Sequence, residues 1–241
     1  TTPMSEQGYI GMSIGMALDG LKPIVEIMFG DFITLGADQI INHLSKIYEM
    51  YNKNLNFVLR TPSGGYRGYG ATHSQSLEKM YIGIPGINII SPNVIIKPGK
   101  LLKNSIHSGK PIIFIENKLD YSAEIIKLEN NESIIKTKVY GDGIDYYSSS
   151  NIIGENPEIT LITYGGMVKN MLKIQENIFM EEELPIEIIT ISNISNPDIN
   201  FILDIVSSNK ILAIEESWGK YGWGESIIYQ MIKKGKFNYF D

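Results

Sequence analysis

A glutamate near the start of this 241-residue chain stands where a carboxyl group is unusual. Glu6 opens the stretch "EQGYIGMSIGMALDG", in which nearly all later residues are apolar or small, as in a helix buried on every side. One interpretation is that the carboxylate complements the helix dipole, which is worth about 0.3–1 kcal/mol. The other is that apolar neighbours disfavour the ionised form, so that the group shares a proton with a ligand nitrogen.

The second candidate is a glycine-rich loop, "TPSGGYRGYGATHSQS", that follows a predicted buried strand. Its glycines permit positive φ angles and close approach of the backbone to a ligand. Arg67 and His73 lie in it, and His73 begins the run "HSQS", which offers several hydrogen-bonding groups together. A flexible surface loop and a ligand-binding loop both fit this pattern.

The third candidate is "EESWGKYGWGES", residues 215–226, which lies between a predicted strand and a predicted helix. Its three aromatic residues alternate with glycines and are typical of a contact surface. A loop that packs against its own domain fits equally well.

Composition narrows the chemistry that is open to these residues. The chain is 43% hydrophobic and 20% charged, as in a globular protein, and no apolar run is long enough to span a bilayer. The net charge of −6 comes without a basic stripe, which argues against a nucleic-acid partner. The absence of cysteine excludes disulfides, thiolate catalysis and cysteine-ligated zinc, and the three histidines lack metal-ligand spacing.

The elements that position the candidates alternate between helix and strand periods. We predict strands over 23–29, 56–60, 87–92, 111–117, 159–165, 186–192 and 210–216. We predict helices over 5–18 (with Ser5 as its cap), 36–51, about ten residues after the glycine loop, a segment through 101–106, 167–180, 198–207 and 223–234. This pattern predicts an α/β protein with two three-layer αβα units, the first of which has a mostly parallel sheet.

Residues 122–157 break the rhythm because they are rich in Asn, Ser, Lys and Glu. We interpret them as a linker, with one or two short strands, between a domain over 1–121 and a second over 158–241. The first and last residues look like cuts through a longer chain, so we expect residues before Thr1 and after Asp241.

A family resemblance rests on four long motifs. They are "TPMSEQGYIGMSIGMALDGLKPIVEIMFGDF", "ADQIINHLSKIYEM", "LRTPSGGYRGYGATHSQSLEKMYIGIPGINIISP" and "EESWGKYGWGESI". Together they resemble the beta subunit of the first, decarboxylating component of 2-oxo acid dehydrogenase complexes, of the pyruvate dehydrogenase type. The match is dense over residues 3–121 and looser, but collinear, over 159–241.

The resemblance implies a transketolase-like pyrimidine-binding domain followed by a transketolase C-terminal domain. It implies an α2β2 heterotetramer that shares thiamine diphosphate, with magnesium held by the alpha subunit. Glu6 falls on the family's catalytic glutamate, which hydrogen-bonds the pyrimidine nitrogen, and Phe32 on its cofactor-binding aromatic residue. His73 falls on the catalytic histidine that lines the channel for a small 2-oxo acid and the lipoyl group of the acyltransferase component.

The resemblance leaves several points open. Some members bind structural potassium through groups that match Phe57, Ser105, Ile106, Ser108 and Lys110, but a cation at Lys110 departs from that pattern. The run "GDG" at 141–143 resembles the magnesium–diphosphate motif of thiamine enzymes, yet no apolar strand precedes it, which favours an ordinary turn. Branched-chain 2-oxo acid or acetoin dehydrogenases, transketolase-type transferases and a non-catalytic assembly subunit remain alternatives. A bacterial cytoplasm, a mitochondrial matrix or a plastid fits such an enzyme.

Overall fold

The first sheet consists of short apolar runs that pair in parallel. A computed structural model describes residues 1–128, 133–218 and 220–235. The strands are β1 (Ile24–Glu26), β2 (Phe57–Ser63), β3 (Asn88–Ile90) and β4 (Pro111–Asn117), in the order β1-β2-β4-β3. The centre of β2 and of β4 is buried and apolar because helices cover both faces. The pairing of β2 with β4 runs from Phe57 opposite Pro111 to Ser63 opposite Asn117, so both strands end at the same edge.

Three helices accompany this sheet: α1 (Glu6–Leu18), α2 (Ile47–Tyr51) and α3 (Pro98–Ile106). The segment predicted as a helix over 36–51 is helical from residue 37 to residue 51, but one regular α-helix is wrong, because a π turn (Gln39–His43) and a 3₁₀ turn (Leu44–Lys46) precede α2. A further 3₁₀ turn (Gly30–Gly36) comes before this segment. The Ser45 hydroxyl donates to the Ile41 carbonyl at 2.6 Å and so competes with the helical backbone donors.

The helix predicted after the glycine loop is also wrong, since that segment forms a single 3₁₀ turn over Glu78–Met80. Gly83 and Gly86 both have positive φ angles and end any helical run. A Cβ on Gly86 would overlap the Ser45 carbonyl, so the chain passes there too closely for another residue type.

α1 is buried on one face only, contrary to the prediction of burial on every side. Ile10, Ile14 and Ala17 are buried, whereas Met12 in the helix is 67% exposed and Met4, just before the helix, is 91% exposed. Ser5 occupies the N-cap position, but its side chain makes no capping hydrogen bond. A single copy of this chain therefore leaves an apolar face of α1 open.

The second sheet has five strands and mixed pairing. They are β5 (Ile135–Asp142), β6 (Asp145–Ile152), β7 (Ile159–Thr163), β8 (Ile186–Ile191) and β9 (Ile211–Ile214), in the order β5-β6-β8-β7-β9. β5, β6 and β8 pair antiparallel, and β8, β7 and β9 pair parallel. The helices α4 (Met167–Glu182), α5 (Ile199–Ile205) and α6 (Trp223–Lys233) lie close to the predicted ranges.

Much of the predicted linker over 122–157 is a hairpin of this second sheet. The residues of this hairpin are polar, but their side chains form hydrogen bonds between neighbouring strands of the sheet. A polar sequence therefore does not reveal these strands. Ser148 shares a 2.6 Å hydrogen bond with Thr190, and Thr137 shares one of 2.8 Å with Ser150. The "GDG" run forms the hairpin turn between β5 and β6, as its turn-like context predicts.

The two units join along the edge of the first sheet at β3. The Ser91 amide donates to the Ser192 carbonyl at 2.8 Å, and the Ile194 amide donates to the Ile89 carbonyl at 3.0 Å. One hydrophobic cluster runs through both units, from Leu59 in β2 to Trp223 in α6. This contact between the two units places the ends of β2 and β4 beside the end of β9. In the described ranges no helix has the length and apolar character needed to cross a bilayer.

Candidate active site

His73 lies among aromatic rings at the end of the first sheet. Its imidazole centroid is 4.6 Å from the Phe29 ring and 5.4 Å from the Phe32 ring, both edge to face. Phe32 belongs to the 3₁₀ turn Gly30–Gly36, which contacts the end of β2. A Cβ on Gly30 would lie 2.5 Å from the Pro62 carbonyl oxygen, so only glycine permits this approach. The structure thus brings together two of the three residues predicted for the site.

The loop that carries His73 is closed by an arginine. The Arg67 Nε donates to the Gly64 carbonyl at 2.8 Å, and its Nη2 donates to the His73 carbonyl at 2.6 Å. Gly64 adopts a positive φ of 90°, which suits glycine at the turn that leaves β2. The loop is therefore fixed by its own side chain and holds His73 against the rings.

Glu6 lies in the first turn of α1 and is half-buried. α1 packs against the 3₁₀ turn that carries Phe32, and a Cβ on Gly36 would overlap the Ile10 side chain. Within the described ranges the Glu6 carboxylate has no hydrogen-bond or ion-pair partner, which leaves it free for a ligand. Burial, and to a smaller extent the nearby Glu6 charge, raise the pKa of the Tyr9 hydroxyl. Among the described residues no hydrogen bond or ion pair joins Glu6 to Phe32 or His73, and α1 meets Phe32 through the packing of the helix on the 3₁₀ turn.

A cluster of three glutamates, Glu78, Glu215 and Glu216, lies behind the glycine loop, and no local sequence pattern predicts it. Glu78 is 4% exposed, and its Oε2 has no partner among the described atoms. Burial raises the pKa of Glu78 to about 7, and the charges of Glu216 and Glu215 add to that rise against hydrogen bonds from its own backbone and from Ser63. Across the described residues, no three acidic or histidine side chains converge as a metal site would require. Within the cluster, Glu78 is therefore a buried carboxyl group whose pKa is raised.

Glu216 connects the second unit to the loop of the first. Its Oε1 accepts a 2.5 Å hydrogen bond from the Gly65 amide, and its Oε2 accepts one of 3.4 Å from the Asn117 side chain. Glu215 turns the other way and accepts from the amides of Trp223 (3.2 Å) and Gly224 (2.9 Å) at the start of α6. The end of β9 therefore ties the glycine loop to the second unit.

The segment 215–226 agrees in one part with a loop packed against its own domain and in another part with an exposed surface. Trp223 is buried, donates from its indole nitrogen to the Ile194 carbonyl at 3.0 Å, and packs 4.9 Å from the Tyr164 ring. Trp218 and Tyr221 are exposed. The Nζ of Lys79, in the first unit, donates hydrogen bonds to the Trp218 carbonyl at 3.0 Å and to the Lys220 carbonyl at 2.8 Å. Part of the segment is core, and part is exposed, so a contact surface at Trp218 and Tyr221 stays a prediction.

The residues predicted for potassium lie where α3 leads into β4 and β2 begins. The Ser108 hydroxyl donates to the Ser105 carbonyl at 2.9 Å and to the Lys110 carbonyl at 3.4 Å. Two of the predicted ligand groups therefore already accept a hydrogen bond. The potassium site at these residues, with Phe57 and Ile106, stays a prediction.

Two family models match the chain. "Transketolase, pyrimidine binding domain" matches residues 1–123, and "Transketolase, C-terminal domain" matches residues 148–241. The first match contains Glu6, Phe32 and His73. The second begins inside the hairpin that the sequence assigned to a linker.

The chain is also similar to pyruvate dehydrogenase E1 component beta subunits along its whole length. It is 30% identical to the mitochondrial subunit of Saccharomyces cerevisiae and covers 64% of that protein. It is 32% identical to the subunit of Gracilaria tenuistipitata and covers 70% of it, and 29% identical to that of Rickettsia bellii, of which it covers 71%. A solved "split gene transketolase, inactive beta4 tetramer" has the same fold, with a TM-score of 0.71 at 14% identity over 98% of this chain and 70% of that one.

Proposed function

Because this chain belongs to the transketolase family and carries its pyrimidine-binding and C-terminal domains, we propose that it is the beta subunit of a thiamine diphosphate-dependent 2-oxo acid dehydrogenase of pyruvate dehydrogenase type. The observation that carries the proposal is the Phe32–His73 contact beside α1, whose Glu6 carboxylate is free for a ligand. The first domain ends near residue 121, and the hairpin over β5 and β6 belongs to the second.

The residues of the site fit the pyrimidine half of thiamine diphosphate. The Glu6 carboxyl group would share a proton with a ring nitrogen of the cofactor, and it has no protein partner among the described residues that would compete for this role. Phe32 offers a ring for packing, and its edge-to-face contact with His73 fixes both groups. When bound, the cofactor supplies the nucleophilic carbon that attacks the 2-oxo group. In this proposal His73 exchanges a proton with the substrate, and its position at the end of the glycine loop beside Phe32 supports that role.

The partner is an alpha subunit that holds the diphosphate and magnesium in an α2β2 heterotetramer. The open apolar face of α1 at Met12, together with Met4 just before the helix, supports an interface close to Glu6. The acyl group passes to a lipoyl-bearing acyltransferase, and the chain alone is inactive. Its compartment is a bacterial cytoplasm, a mitochondrial matrix or a plastid.

Reconstitution with the alpha subunit tests this function. The complex, with thiamine diphosphate and magnesium, is assayed with pyruvate, branched-chain 2-oxo acids and acetoin, using a dye as electron acceptor. We expect carbon dioxide release from a 2-oxo acid by the complex and none from either chain alone. Preference for a branched-chain acid or acetoin selects one of those alternatives. Failure of the complex to bind thiamine diphosphate by calorimetry contradicts the proposal and favours a non-catalytic assembly subunit.

A further inference from the structure

Lys118 lies beside the aromatic cluster that surrounds His73. It follows the last residue of β4, and β4 ends opposite the end of β2, where the glycine loop begins. Its Nζ is 5.6 Å from the centroid of the Phe29 ring and 5.5 Å from that of the Tyr69 ring. Phe29 is also the ring nearest His73, at 4.6 Å. The ammonium group and the imidazole thus contact the same side chain at the carboxyl edge of a parallel sheet, where α/β folds bind ligands.

The Lys118 ammonium group has no carboxylate partner in the described part of the chain. The ion pairs found there join His43 with Asp38, and Arg60 with Glu26 and Glu116. Glu216, on the same side of the loop, accepts its hydrogen bonds from Gly65 and Asn117. A cation held against aromatic faces loses part of its hydration, and an arriving anion restores the lost stabilisation.

Arg67 has a different task, although its guanidinium also lies over Tyr69, at 5.5 Å. Two of its nitrogens hold the carbonyls of Gly64 and His73, and its Nη1 is enclosed without a partner. Its contacts fix the loop, so it is a positioning residue. Lys118 is free to reach a ligand, because its ammonium group stands at the end of a flexible four-carbon side chain.

We propose that Lys118 binds the carboxylate of the 2-oxo acid and so selects for acids over neutral carbonyl compounds. This inference rests on the proposed function, because it deepens the specificity of the same site. The carboxylate leaves as carbon dioxide, so an ion pair to it stabilises the bound substrate at least as much as the transition state. A contact of that kind lowers KM and contributes little to kcat.

The test compares two donors that differ by the carboxylate, pyruvate and acetaldehyde, in the reconstituted complex with a dye acceptor. A charge-assisted hydrogen bond contributes enough for Lys118→Met to raise the KM for pyruvate by about 10–100-fold. We expect the kcat of Lys118→Met for pyruvate, and its kcat and KM for acetaldehyde, to change by less than about threefold. Lys118→Arg keeps the charge and recovers most of the affinity for pyruvate. Lys173→Met, an exposed lysine on α4, is the matched control.

Equal effects of Lys118→Met on pyruvate and acetaldehyde contradict the inference. A wild-type complex without activity on any 2-oxo acid contradicts the proposed function instead, and a binding experiment then still decides the role of Lys118. Oxamate, an unreactive isostere of pyruvate, is titrated calorimetrically into wild-type and Lys118→Met complexes. We expect the variant to bind it at least about tenfold more weakly. Equal binding by both proteins, or no binding by the wild type, overturns the inference.

Discussion

Glu187 and Glu78 are both buried, but they differ in how completely their oxygens are hydrogen-bonded. Glu187, inside the second sheet, is 0% exposed and accepts from Ser149 (2.9 Å), Thr160 (2.8 Å) and both the amide and the hydroxyl of Ser207 (2.8 and 3.0 Å). Glu78 is almost as deeply buried, yet one of its oxygens has no partner and two further glutamates lie nearby.

The difference indicates what each group does. Buried polar groups in native proteins are nearly always hydrogen-bonded, so an exception calls for an explanation. The Glu187 network ties β8, β6, β7 and the segment before β9, and it is part of the scaffold. The Glu78 cluster lies where two units meet behind the loop that carries His73, and there incomplete pairing leaves a titratable group.

The largest effect should come from the scaffold glutamate. Glu187→Ala leaves the donors of Ser149, Thr160 and Ser207 without an acceptor in a dry interior. We expect the free energy of unfolding in urea to fall by about 3–5 kcal/mol. Glu176→Ala, an exposed glutamate on α4, should change it by less than about 0.5 kcal/mol. A loss of similar size in both variants would show that the network contributes nothing specific.

The Glu78 cluster should make stability depend on pH in the opposite sense to most carboxylates. In the folded chain the pKa of Glu78 is about 7, above the ordinary 4.5, so the folded chain binds the Glu78 proton more tightly than the unfolded chain does. This contribution is complete below pH 4.5 and is lost as the pH rises through about 7. It amounts to about 3 kcal/mol, because one pKa unit corresponds to about 1.4 kcal/mol.

Urea unfolding between pH 4.5 and 8 measures this contribution by comparing wild type with Glu78→Gln, which cannot ionise. We expect the difference in stability to grow in favour of the variant as the pH rises. A difference that is constant with pH would show that burial does not raise the pKa of Glu78.

A smaller, local effect should follow from Glu216→Ala. The Gly65 amide then loses its 2.5 Å acceptor, and the glycine loop loses its tie to the second unit. Loss of one hydrogen bond to a charged group should speed exchange of the Gly65 amide hydrogen by about 10–100-fold, as NMR would detect. Asp204→Ala, at an exposed position of α5, should leave that exchange rate unchanged. Unaltered exchange in Glu216→Ala would mean that the first unit holds the loop alone.

The same comparison explains which features the sequence predicts. β4 has the predicted bounds of 111–117, because a strand buried on both faces is a continuous apolar run. The contact of Phe32 with His73 agrees with the resemblance, since both residues lie in long matching motifs. The Glu78–Glu216 cluster has no such signal, because Glu78 sits in an irregular turn and Glu216 lies in the other unit. Similarly, the hydroxyl pairs of β6 hide a strand among polar residues.

Glu6 is the residue on which the proposed chemistry depends most directly. We expect Glu6→Gln to lower the rate of 2-oxo acid decarboxylation by the reconstituted complex by at least about 100-fold, because glutamine cannot share a proton with the pyrimidine nitrogen. Glu49→Gln, at an exposed position of α2, should keep wild-type turnover, and both variants should assemble with the alpha subunit. Near-normal turnover by an assembled Glu6→Gln complex would contradict the assignment of this site.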